Sequence, residues 1–457
     1  MDKSTGWNAA LFNRYHCLDQ HEPAQNPLKQ LISAVQRCNA LEASRTAQRP
    51  LALNISIPFC ANACYHCTQK TTVTKDRSRS TAYLNSLEQE IRRVAQHISS
   101  EQPITQLHIG GGTPTFLNSV ELRQLMRCLQ DNFTIVSNNF NHYSIDIDPR
   151  ETDWATMGVL RDIGFNRINI MVQALDPAVQ RAINSLHTPE QTQAIVEAAR
   201  TLQFRNVSIS LIYGLPKQTA QSFAQTLKDI VQLAPDRIIL QGFQHQPKKH
   251  PIQRRIDKKS LPSSAETAQI LQTALEQLRQ AGYQYIGMDN FALPDDDLTI
   301  AQEDGTLRQT LEGYTLLTDG DTLGLGVTAT SQIGDLYYSN SADLTLYQNA
   351  CNAQQLPPAY GLLYSTHEKI SQAIIQALNC QFYVDFTPIE QRYNLHIKDY
   401  FKQQWPQLQQ MHNDGLLELT DSSLQITTQG RLLSCAVCRL FDRPAAQEIE
   451  QVSTAVI

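Results

Sequence analysis

The sequence predicts an α/β protein whose larger part is a parallel sheet built from six strand–helix units. Three observations predict it. Short β-rich runs recur between residues 51 and 281, and longer segments with apolar residues three or four apart separate them. No run of apolar residues approaches the length of a membrane span. Strands that alternate with helices pair in parallel through right-handed crossovers.

The elements follow in order. Residues 1–47 read as a polar N-terminal arm holding one helical stretch, PLKQLISAVQRCNAL at 27–41. The predicted strands are LALNISI (51–57), QLHI (106–109), YSIDID (143–148), RINIMVQ (167–173), VSISLIY (207–213) and RIILQGF (237–243). The helical segments are residues 83–98, 120–132, 189–202, 221–233 and 264–282, each with one apolar face. Six units suit a curled, incomplete barrel or an open doubly wound sheet. In both, the working loops leave the carboxyl ends of the strands. This part is expected to span 48–345, including an extension on the substrate side. Residues 346–457 read as a small, mainly helical domain. Within it, 415–433 forms two short strands about an Asp421-Ser422-Ser423 turn, as in a winged helix.

The 457 residues include 38 Lys and Arg against 44 Asp and Glu, a net charge of −6, and 41% are hydrophobic. That is a globular composition without the overall basic field that favours nucleic acid or acidic lipid. The N-terminus lacks the apolar core of a secretory signal, so a cytoplasmic, reducing setting is expected. Ten cysteines are then not a disulfide frame.

Three of those cysteines stand apart. Cys60, Cys64 and Cys67 form a C-x3-C-x2-C run directly after the first strand. Three thiolates on one strand-end loop can converge on zinc or on an iron–sulfur cluster. With three cysteines, a cluster keeps one iron open to a further ligand. A closed Cys3His zinc site using His66, and unligated cysteines, are the other readings. The second strand ends in Gly110-Gly111-Gly112-Thr113, beside the cysteine loop, where glycines permit close backbone approach. After the sixth strand, Lys248, Lys249, Arg254, Arg255, Lys258 and Lys259 gather within twelve residues that hold one Asp. Such a loop suits an anionic ligand or is a solvated face. The Cys435/Cys438 pair, a lone C-x2-C in a helical tail, reads as structural.

With IPFC-x3-C-x2-C, GGGTPT, IDPR, INIMVQ and IYGLPKQT in place, the chain resembles the radical S-adenosylmethionine superfamily. GFNRINI, GYQYIGMDNFALPDDDL, EGYT, LGLGVTATSQIGD and the tail at 414–433 make it similar, more narrowly, to bacterial oxygen-independent coproporphyrinogen III oxidases. The resemblance covers residue 48 to the end. It implies an incomplete (β/α)6 radical SAM barrel and a monomer. It also implies a [4Fe–4S] cluster on Cys60, Cys64 and Cys67 whose fourth iron chelates S-adenosyl-L-methionine. The implied reaction is radical oxidative decarboxylation of two propionates to vinyls in haem biosynthesis, with an unidentified electron donor. Gly111, Gly112, Thr113, Asp146 and Gln173 would contact the cofactor, and His66 would lie near its adenine. The basic residues Lys248, Lys249, Arg254 and Arg255 would meet the carboxylates of a tetrapyrrole.

Several matched positions depart from the family pattern. Asn54 stands for a tyrosine, His66 for an aromatic, Asp146 for a glutamate, Ser185 for an arginine and Ser210 for an aspartate. Gln244 replaces a small residue, Thr330 an apolar one, Gln69 a cysteine, and Asn290 the histidine of GMDHF. The N-terminal RYTSYPT-like segment is reduced to Asn13–Cys17. The departures cluster around the cofactor positions. An active oxidase, a relative acting on another tetrapyrrole, and a non-catalytic paralogue that binds haem or porphyrin all fit that pattern.

Overall fold

The computed structural model describes residues 30–136, 141–310, 313–317 and 319–442; the Asn13–Cys17 remnant lies outside them. The chain divides into two compact units, one of residues 30–263 and 317–363, the other of 264–316 and 364–442.

The larger unit contains all six expected strands: β1 (Leu51–Ile57), β2 (Ile104–Gly111), β3 (His142–Ile147), β4 (Arg167–Gln173), β5 (Asn206–Tyr213) and β6 (Arg237–Gly242). They lie side by side in chain order, each neighbouring pair parallel. Between them run α1 (Ser78–Ala95), α2 (Ser119–Asn132), α3 (Trp154–Asp162), α4 (Pro177–Ile183), α5 (Pro189–Thr201) and α6 (Ala220–Gln232). Capping boxes begin α2, α5 and α6, where Asn118, Thr188 and Thr219 accept from the third helical N–H.

Over their central residues the strands carry a two-residue alternation. One set (Leu53, Ile55 and Ile57; Leu107 and Ile109; Ile145 and Ile147; Ile168 and Ile170; Val207 and Ile209) is fully buried. Each such side chain contributes about 1.5–3 kcal/mol of hydrophobic stabilisation. The alternate set is mostly polar, with Asn54 and Ser56, His108, Ser144 and Asp146, Asn169, Ser208 and Ser210, and with Met171 and Ile212 nearer the strand ends. Parallel sheets are usually apolar on both faces. A polar face at this register is therefore a surface shaped for a ligand.

The sheet continues past β1. β7 (Asp321–Leu325) pairs parallel to it, followed by antiparallel β8 (Thr330–Ile333), β9 (Leu336–Asn340), β10 (Ala359–Leu363) and an edge strand, Gln30–Ile32. The expected helix at 27–41 is corrected accordingly. Residues 30–32 pair with β10, and the helix runs Ala34–Thr46, set by a capping box between Ser33 and Gln36.

Buried Glu90 of α1 fastens this extension. Its carboxylate accepts from Gly326 N–H (2.8 Å), Asn340 Nδ2 (2.7 Å) and the Tyr347 hydroxyl (2.7 Å), with Arg37 at 4.0 Å. Tyr83, from the same helix, donates to Ser56 O (2.6 Å) and accepts from Val327 N–H (3.1 Å). The β7–β8 loop is thereby pinned to the carboxyl end of β1.

The smaller unit is mainly helical. α7 (Ser264–Gln280), α8 (Thr366–Gln381) and shorter helices accompany a three-stranded antiparallel sheet, Tyr383–Asp385, Ser423–Ile426 and Leu417–Leu419. The two short strands expected in 415–433 are present, with the turn at 420–422, one residue earlier than expected because Ser423 already belongs to the second strand.

Candidate active site

The site begins with main-chain atoms. Beyond β1, Phe59–Cys60 pairs with Thr72–Val73. Gly112 N–H donates to Ile57 O and Thr113 N–H to Phe59 O, each at 2.7 Å, while Thr74 N–H donates to Cys60 O at 2.9 Å. A Cβ on Gly112 would stand 2.5 Å from Phe59 O, so only glycine permits this approach. Phe59 is wholly buried and stacks on Phe116 at 5.3 Å. The root of the cysteine loop is thus clamped by its own backbone and an aromatic pair. Its far side is tied by Tyr65 N–H to Ile183 O (2.8 Å) and by Asn184 Nδ2 to Ala63 O (2.7 Å).

The three thiols are free and only partly buried. Thr113 donates to Cys60 Sγ at 3.7 Å, and Arg150 Nη2 to Cys64 Sγ at 3.2 Å. Arg150 is itself held by Asp148, at 2.9 Å from Nε and 2.5 Å from Nη2. Burial opposes its charge, but the bonds to Asp148 and Cys64 outweigh that and hold the guanidinium above its ordinary range. Burial raises the Cys60 thiol and pushes Cys67 up to about 11, against the Gln69 backbone contact that lowers it. Among the described residues no three His, Cys, Asp or Glu side chains converge closely enough to share one ion. Thiolates that each take a different iron of a cluster need not converge. Hydrogen bonds to sulfur, and a cation beside it, are what an anionic iron–sulfur centre requires of its surroundings. The donor set fits.

His66, between the second and third cysteines, stays neutral. Burial, then the Arg150 charge, lowers it to about 4 against the opposing pull of Asp148. Its Nδ1 is buried with no partner among the described residues. An orphaned ring nitrogen here fits a nucleobase edge.

Across the polar face the expected cofactor residues meet in part. Asn169 Nδ2 donates to Asp146 Oδ1 at 3.0 Å, and Ser210 Oγ donates to Asn169 Oδ1 at 2.8 Å. Buried Ser185 approaches Gln173 Oε1 at 3.5 Å. Gln173 has a φ of +63° in a tight turn that Ala174 N–H closes on Val172 O. Backbone strain of this sort on a non-glycine residue gathers at functional positions. Asn54 stands in register with His108 on one side and Gly324 on the other. Thr330 begins β8, just beyond the loop that Glu90 and Tyr83 pin. Gln244 accepts from Gln246 Nε2 (2.9 Å).

The basic loop is joined to the cysteine loop through Gln253, which is wholly buried. Its Nε2 donates to His66 O (3.3 Å), its Oε1 accepts from Gln246 N–H (2.6 Å), and its carbonyl faces His245 Nε2 (3.2 Å). Arg255 lies over the Tyr65 ring at 5.5 Å. Lys248, Lys249 and Arg254 are exposed. Sequence reasoning assigned no role to Arg150, Asp148, Gln253, His108 or Asn169. The IDPR run and the alternating polar positions were the available signals.

The model of the radical SAM superfamily matches residues 54–230, and that of the HemN C-terminal domain matches residues 364–433. The oxygen-independent coproporphyrinogen III oxidase of Pseudomonas aeruginosa is 46% identical over 440 residues, 96% of each chain. Its namesake in Salmonella typhimurium is 38% identical over 442 residues, again 96% of each. The structure of coproporphyrinogen III oxidase (HemN) from Escherichia coli, described as a radical SAM enzyme, matches with a TM-score of 0.89. Sequence identity is 37%, and the match covers 95% of this chain and 98% of that one.

Proposed function

The chain belongs to the oxygen-independent coproporphyrinogen III oxidase family of radical SAM oxidoreductases, and from that premise we propose which of its residues carry the reaction. The reaction is oxidative decarboxylation of two propionates of coproporphyrinogen III to vinyl groups, giving protoporphyrinogen IX. When bound, a [4Fe–4S] cluster and S-adenosylmethionine supply the one-electron, hydrogen-abstracting radical chemistry that this step needs.

The protein binds, charges and orients. Cys60, Cys64 and Cys67 hold three irons. The Thr113 hydroxyl and the Arg150 guanidinium stabilise the sulfur charge on Cys60 and Cys64. The Gly111–Thr113 backbone brings the glycine loop against the cysteine loop, leaving room for the amino-acid end of the cofactor. Asp146, Gln173 and the orphaned Nδ1 of His66 would hold its nucleoside part, and Asn54, Ser185, Ser210, Gln244 and Thr330 would be further contacts to it. Lys248, Lys249, Arg254 and Arg255 draw in the four carboxylates of the porphyrinogen by charge. The protein works as a cytoplasmic monomer with a separate one-electron donor.

One observation carries the residue assignment: three free thiols on a backbone-clamped loop, two of them hydrogen-bonded by Thr113 and Arg150. The test is anaerobic reconstitution with iron and sulfide, then reduction in the presence of S-adenosylmethionine and coproporphyrinogen III. Formation of 5′-deoxyadenosine and protoporphyrinogen IX is expected. A full, reducible cluster that yields no 5′-deoxyadenosine would sink the proposal.

A further inference from the structure

We propose that the polar face carries a preset acceptor for a vicinal diol. His108, Ser144, Asn169 and Ser210 hold the Asp146 carboxylate in one orientation, which makes His108 a positioning residue for the ribose of the nucleoside cofactor. The inference rests on the reading that Asp146 contacts that cofactor.

The geometry fixes the ring beside the carboxylate. His108 Nδ1 lies 2.9 Å from Ser144 Oγ, and that hydroxyl in turn donates to Leu107 O at 3.5 Å. Nε2 faces Asp146 Oδ2 at 3.7 Å. Nε2 is therefore the ring atom turned to the carboxylate, and the contact at Nδ1 fixes its place.

The other carboxylate oxygen is set from the far side. Asp146 Oδ1 accepts from Asn169 Nδ2, and Asn169 Oδ1 accepts from the Ser210 hydroxyl. Because Ser210 donates, the amide is oriented with its oxygen toward residue 210 and its nitrogen toward Asp146. A carboxylate at 210 would demand the nitrogen and turn the amide oxygen onto Asp146. The departures at 146 and 210 are therefore one linked change, transmitted through Asn169.

Gly110 completes the seat. A Cβ at this position would come within 2.6 Å of His108 Nε2 and 3.0 Å of Asp146 Oδ2. The first glycine of the run makes room for the His–Asp pair. Asp146 remains 21% exposed, and each of its oxygens has one protein partner and a spare lone pair. Two parallel acceptors match the two hydroxyls of a cis-diol.

Calorimetry on the anaerobically reconstituted protein tests this, with S-adenosylhomocysteine and its 2′,3′-dideoxy analogue as probes. His108→Gln and Ser210→Asp should each weaken the ribonucleoside about 3- to 10-fold, the effect of losing one partner that orients the carboxylate, and leave the dideoxy analogue unchanged. Adding His108→Gln to Asp146→Asn should cost nothing further. Equal weakening of both probes, or no weakening of either, overturns the inference, and Ser210→Asp carries the test if His108→Gln does not fold. If Asp146→Asn itself leaves both probes unaffected, the reading of Asp146 as a cofactor contact has failed and the inference falls with it.

Discussion

The cysteine–glycine clamp and the polar face of the sheet do adjoining work by opposite means. The clamp is made of main-chain atoms: Gly112 and Thr113 N–H groups on Ile57 and Phe59 carbonyls, at a separation that excludes a Cβ on Gly112. The polar face is made of side-chain ends, where a hydroxyl, an amide or a carboxylate can be exchanged if its neighbours re-pair. The clamp keeps the cysteines and glycines of the family pattern. Of the departures, Asn54, Asp146, Ser185 and Ser210 fall on or beside the polar face, and His66 and Gln69 change side chains in the cysteine loop without changing its cysteines or the facing glycines. Backbone-made geometry admits no partial change, whereas side-chain networks can drift as linked sets.

The comparison makes graded demands. The largest effect belongs to the clamp's cargo. Cys64→Ser should abolish the brown cluster absorbance and 5′-deoxyadenosine formation, while Cys435→Ser should retain both. Equal loss in the two variants would misassign the ligands. Next comes Gly112→Ala, where the added methyl meets a carbonyl that cannot move. We expect about 1–3 kcal/mol of lost stability in urea denaturation, together with poor iron uptake.

Arg150→Lys keeps the charge but gives up the fork shared between Asp148 and Cys64. A loss of about tenfold or more in cluster retention should be visible by timed chelation. The smallest effect is expected on the side-chain region. Ser185→Ala removes one long contact and should alter S-adenosylmethionine affinity by less than about twofold in a direct binding titration. A large loss at Ser185, or a harmless Gly112→Ala, would break the contrast.

Glu90 offers a control that belongs to neither region. Burial raises its carboxyl above the ordinary 4.5, despite the lowering by Tyr347, Arg37, Gly326 and Asn340. The native state therefore binds this proton more tightly than the unfolded chain does. The resulting contribution to stability is fully present below about pH 4.5 and is lost as pH rises through the raised folded value. Urea midpoints of the wild type against pH should show that fall, and Glu90→Gln should flatten it. An unchanged slope would refute the assignment.

Much of the fold was legible because the strands of a βα unit carry dense local signals. All six strands lie within two residues of their predicted bounds, from Leu51–Ile57 to Arg237–Gly242. The extension from β7 to β10 was not read as sheet. Its strands are short and glycine-punctuated, and their pairing depends on a buried carboxylate contributed by α1. The edge strand Gln30–Ile32 was merged into the following helix because its partner lies more than 300 residues away.

In the site, spacing alone exposed Cys60, Cys64 and Cys67. Arg150 meets Cys64 only after three strands have folded, and Asn169 acquires its role only through the register that sets it beside Asp146 and Ser208. Polar residues at every second position of a parallel strand were visible from the start. Their meaning depends on knowing that the strands stand in sequential order.

A sheet that is oily behind and hydrophilic in front has an unfinished half. Occupants of that half bind the folded chain and not the unfolded one, so they raise its stability by mass action. Apo-protein should then be the form that cellular proteases remove first. Abundance of the enzyme would track the supply of iron, sulfide and methionine without any dedicated regulator.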